Sequence, residues 1–124
     1  MSATTHPLLD AKYLQEIYGG DQSILQIMFE TFLEDSLTTW DEISLAIENQ
    51  DFQKVGALTH QVKPSFSMVG LTHLHSKIKT LEDLSKNNPN KENVLTCYQL
   101  LDTEVKEAKD VITTILEVMN QDNN

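Results

Sequence analysis

Apolar residues recur at intervals of three and four through nearly the whole chain, and no segment alternates in the manner of a strand. A pattern of that period buries itself as helices that are dry on one side and wet on the other. Helix breakers are scarce, with four Gly and three Pro in 124 residues. That length suits one domain with one modest core. An all-α fold follows.

Capping residues divide the pattern. Asp10 starts a short helix through Leu14 and Ile17 that stops at Gly19-Gly20. Asp21 opens a long one to about Asn49, with Leu25, Met28, Phe29, Phe32, Ser36, Trp40, Ile43 and Ile47 on its inner side. Asp51 caps a third, whose stripe is Phe52, Val55, Leu58, Val62, Phe66 and Val69 and which ends at Gly70. Thr72 is expected to cap a fourth, turning Leu74, Ile78, Leu81 and Leu84 or Ser85 inward until Asn87-Asn88-Pro89 breaks it. The last starts near Lys91 and buries Val94, Tyr98, Leu101, Val105, Ala108, Ile112, Ile115 and Met119. Four long helices joined by short links predict an antiparallel up-down four-helix bundle, with the short extra N-terminal helix as a lid on one end. Residues 1–7 read as a flexible leader, 8–119 as the bundle and 120–124 as a frayed tail. Met1 and the capping residues near both ends suggest a free-standing protein.

The third helix carries a lone imidazole. His60 lies about 150° from the centre of its apolar stripe and therefore faces outward. Gly56 and Ala57 stand one turn before it and Pro64 and Ser67 after it, so the long side chains on that side are Lys63 on the flank and Gln53 two turns away. An outward His is often just a tolerated polar residue. Gly56 and Pro64 argue for more, because both are poor helix-interior residues and such local violations gather at functional sites.

A net charge of −10, with nine basic against nineteen acidic residues, excludes the basic footprint that nucleic acids and anionic membranes require. The single Cys97 allows no internal disulfide and reads as a small core or boundary residue. The N-terminus has no basic-then-apolar signal, and no apolar run is long enough to span a membrane. A cytoplasmic monomer is expected. His73 and His75 point different ways on one helix and make a poor metal pair, and His6 falls in the leader, so no metal site is expected.

Leu58-Thr-His-Gln-Val-Lys-Pro-Ser-Phe-Ser-Met-Val-Gly-Leu71 resembles the motif of histidine-containing phosphotransfer (HPt) domains. The family pattern is a phosphorylatable His, Lys three residues on, Gly four on and a second Gly ten on, then a helix ending in Leu-Glu. Here stand His60, Lys63, Gly70, Leu81 and Glu82, with Pro64 in place of the nearer Gly. The likeness covers roughly residues 9 to 87 and includes a Phe29–Phe32 segment similar to the family's second helix. It implies that His60 accepts a phosphoryl group from a receiver-domain aspartate and passes it to another receiver. The implied partners are the receiver domains of hybrid histidine kinases and response regulators, with Mg²⁺ on the receiver and no cofactor on this chain. The chain would be a stoichiometric phosphocarrier, not an enzyme.

An imidazole nitrogen suits that task because it is nucleophilic near neutral pH. Lys63 neighbours His60 at i+3 and can reach a phosphoryl oxygen, or simply snorkel over the core edge; the resemblance implies the first. If the third and fourth helices turn about Gly70-Leu71, Leu81 and Glu82 stand level with His60. Glu82, flanked by His75, Lys79 and Lys86, is placed either to accept from Nδ1–H of His60 and leave Nε2 free, or to sit in an ordinary Lys79–Glu82–Lys86 ion network. The competing function is a non-catalytic four-helix protein-interaction module. A metal or haem site in the bundle core would need Glu-x-x-His motifs, which the chain lacks.

Overall fold

A computed structural model describes residues 6–122. Its helices are α1 (Ala11–Tyr18), α2 (Gln22–Thr31), a π turn (Phe32–Ser36), α3 (Leu37–Glu48), α4 (Phe52–Met68), α5 (Thr72–Lys86) and α6 (Lys91–Asp122). Among the described residues there is no strand. The leader's residues 1–5 lie outside them, while His6 sits in a turn and accepts from the amide of Leu8.

Aspartates open three of the helices as their chemistry dictates, each accepting first-turn amides: Asp10 from Tyr13, Asp21 from Ser23 and Ile24, Asp51 from Lys54. Thr72 does not cap α5. It is the first helical residue, and its hydroxyl donates to Asp10 Oδ2 at 3.0 Å, so it ties α1 to α5 instead.

The long second helix was expected to be regular, with Ser36 inward. It is not. The amide of Leu37 bonds the carbonyl of Phe32, five residues back, and the extra residue in that turn rotates Leu37 into the core and leaves Ser36 half-buried. Trp40, Ile43 and Ile47 then continue the buried stripe. In α4 the stripe is displaced toward Gly56 and Thr59, both buried, while Phe52 and Leu58 are only half-buried. Thr59 tolerates burial because its hydroxyl donates to the carbonyls of Val55 and Gly56. In α6 Leu116, not Ile115, completes the buried side, and the helix runs on through Asp122, past the expected start of a tail at Asn120.

Short turns make α3, α4, α5 and α6 successive antiparallel neighbours, and α6 closes the ring against α3. At 32 residues α6 spans about 48 Å and outruns the α4–α5 hairpin. Where that hairpin turns at Gly70, α2 and α6 continue and α1 caps the turn. Gly70 has φ +86°, its carbonyl accepts from the amide of Asp10, and Tyr18 Oη donates to the carbonyl of Met68 at 2.6 Å. The core centres on Trp40, which stacks on Tyr98 and meets Phe66 edge-on, while Phe66 meets Phe32 in the same way. Trp40 Nε1 donates to Asp102 and Tyr98 Oη to the carbonyl of Trp40, so the polar ends of these rings are satisfied.

Candidate functional site

The site lies where the outer flank of α4 meets α5. Val55, Val62 and Phe66 anchor α4 to the core, and His60 points away from them with its side chain 71% exposed. Ala57 and Pro64 beside it are exposed and Ser67 is half-buried. Gly56 was expected to share that open side. It is buried instead, facing α5, where a Cβ would stand 3.1 Å from Ser85 Oγ. Its smallness serves the helix contact rather than access to the imidazole.

Pro64 sits within α4, which continues across it to Met68. Having no amide proton, it cannot supply the usual i+4 donor to the carbonyl of His60. Pro64 itself is exposed, so the ring displaces no core residue.

Beneath the imidazole is a buried carboxylate. Glu82 belongs to the inward side of α5, with Leu81, Ile78 and Ser85, and its side chain is only 5% exposed. Its Oε2 lies 3.0 Å from His60 Nδ1 and 2.7 Å from Lys86 Nζ, and its Oε1 lies 2.8 Å from Lys63 Nζ. Burial alone would raise the carboxyl's pKa, but the hydrogen bonds from Lys63, Lys86 and His60 outweigh it and hold it down at about 2. An ionised carboxylate only accepts hydrogen bonds, so the proton between it and His60 resides on Nδ1. In the neutral ring the lone pair is then on Nε2, to which nothing among the described residues bonds.

Of the Lys79–Glu82–Lys86 network offered for Glu82, the Lys86 pair forms and the Lys79 pair does not. Lys79 pairs with Asp83, and Glu82 gathers His60, Lys63 and Lys86. Lys63, 13% exposed, directs its ammonium to Glu82 beneath the ring. Lys86 joins the cluster through the i+4 pairing with Glu82 that its spacing implied. His73 is exposed and His75 half-buried on α5. Among the described residues no three His, Cys, Asp or Glu side chains gather in a way that could hold a metal ion, and no helix is long and apolar enough to cross a membrane.

An exposed nitrogen nucleophile on a helical hairpin, with its other nitrogen tied down from within, is a feature that can be compared across helical bundles. No curated protein and no solved structure matches the chain. The Hpt domain family model does match, over residues 27–117, from within α2 through all of α4 and α5 to near the end of α6. With the greater part of its length and the whole of the His60 hairpin inside that match, the chain belongs to the Hpt domain family, phosphocarriers that work with receiver domains in two-component signalling.

Proposed function

We propose that the chain is a phosphorelay intermediate, accepting a phosphoryl group on Nε2 of His60 from a receiver-domain aspartate and passing it to a second receiver. The observation that carries this reading is the pairing of an exposed Nε2 with an Nδ1 bonded to a buried, ionised carboxylate. In the transfer the Nε2 lone pair forms the P–N bond as the P–O bond to the aspartate breaks, and the aspartate departs as carboxylate. No proton has to move, because Nε2 carries none. The ring becomes cationic, and Glu82, facing the retained Nδ1–H, offsets that charge. Lys63, with two further N–H donors, stands one turn away to meet a phosphoryl oxygen while still holding Glu82. Ala57, Pro64 and Ser67 keep the approach low.

The same proposal places Mg²⁺ on the receiver and gives this chain no cofactor of its own. It also treats the chain as a cytoplasmic monomer.

The test is incubation with a panel of phosphorylated receiver domains. The expected outcome is an acid-labile label on the wild-type chain and none on His60→Gln, with the melting temperature lowered only slightly, because the replaced side chain is exposed and Lys63 and Lys86 still hold Glu82. Label retained by His60→Gln would move the acceptor elsewhere. A wild-type chain that binds receivers and is never labelled would leave a non-catalytic interaction module.

A further inference from the structure

Glu82 receives more donors than the orientation of one imidazole requires. Lys63 takes Oε1, and Oε2 is shared between His60 Nδ1 and Lys86 Nζ. Lys86 reaches that oxygen from one turn further along α5, with its side chain 54% exposed. Its stem crosses α4 where α4 offers no side chain. A Cβ built on Gly56 would stand 3.3 Å from Lys86 Cε and 3.1 Å from Ser85 Oγ. Ser85 has little room to yield, because its hydroxyl donates to the carbonyl of Glu82 at 2.6 Å. Gly56 has no positive φ to explain a glycine, and in mid-helix glycine is less stable than alanine. What it supplies is space.

We propose that Lys86, seated against the bare backbone of Gly56, is a positioning residue for phosphoryl transfer. It fixes the Glu82 carboxylate so that Oε2 faces His60 Nδ1 and keeps the ring in the tautomer whose lone pair is on Nε2. The role rests on the reading of His60 as the phosphoryl acceptor. A carboxylate's last torsion is broad and nearly two-fold, so one lysine on one oxygen does not settle where the other oxygen points. A second lysine on Oε2 does. With Lys86 absent, the carboxylate can rotate off the imidazole, and a ring without that partner populates both tautomers. Those molecules with the proton on Nε2 have no lone pair to offer.

The test uses the full chain with ¹⁵N-labelled histidine, at a pH where the imidazole is neutral. Ring ¹⁵N shifts report the His60 tautomer without any receiver present, and transfer from a phosphorylated receiver is then measured across receiver concentration. Wild type is expected to show the Nδ1–H form alone. Lys86→Met is expected to show a mixed population and a maximal transfer rate several-fold lower, with half-saturation unchanged, and Lys86→Arg should restore both. Gly56→Ala is expected to fold and to show the same mixture, because its methyl displaces Lys86. An unchanged tautomer in Lys86→Met overturns the proposal even if transfer slows, and a wild-type tautomer in Gly56→Ala overturns the part assigned to Gly56. Failure of the wild-type chain to accept phosphate would sink the acceptor reading, while the tautomer measurement would still stand.

Discussion

Glu82 is ionised although buried, because three donors replace the water it has lost. Removing the charge strands those donors, so Glu82→Gln should lower the unfolding free energy by about 1–3 kcal/mol at neutral pH. The pH dependence has a definite sign. A carboxyl held at about 2 in the fold, against 4.5 ordinarily, contributes stability that is complete above 4.5 and is lost as pH falls toward 2. Urea titrations should therefore show a constant gap between wild type and Glu82→Gln above about pH 5, closing across that acid window; a gap that widens there would refute the ionised cluster. His60 was legible in the sequence because its angle on one helix suffices to turn it outward. Glu82's burial was not, since it depends on cations from two helices and on a glycine that lets α5 lie close. Gly56 was misplaced for the same reason: on α4 alone it sits near His60, and only the position of α5 shows which side it serves.

The helix ends were readable from Asp10, Asp21 and Asp51, whose short carboxylates have one favourable use at those positions. The π turn was hidden, because Phe32, Ser36 and Trp40 form a regular series that competes with Phe32, Leu37 and Trp40. Burying Leu37 instead of Ser36 decides between them. Deletion of the exposed Asp35 should turn the five-residue step into an ordinary i+4 spacing. That variant is expected to keep its helix content by circular dichroism and to melt no earlier than wild type; a collapse of the fold would mean the turn does more than correct register. In α4, Pro64→Ala should restore a donor for the carbonyl of His60 and raise stability by about 1–3 kcal/mol while transfer persists. A folded Pro64→Ala chain that no longer transfers would show that the proline itself sets the position of His60.

At the level of the whole molecule, α1 and Gly70 close the end of the bundle that the short α4–α5 hairpin leaves uncovered. A Cβ on Gly70 would stand 2.8 Å from Leu14 Cδ1, at a φ of +86° that disfavours any side chain. Gly70→Ala should cost about 2–4 kcal/mol through backbone strain and overpacking, seen as a lower urea midpoint. If α1 merely lies on the surface, the loss will be confined to the backbone share. All four members of the His60 cluster, by contrast, come from that one hairpin, with separations of 22, 19 and 4 residues between bonded partners. Contacts of such low contact order close early and re-form quickly after local opening. The His60 cluster is thus assembled by a single folding unit, and the far ends of α2 and α6 can fray and reseal without disturbing the nitrogen proposed to react.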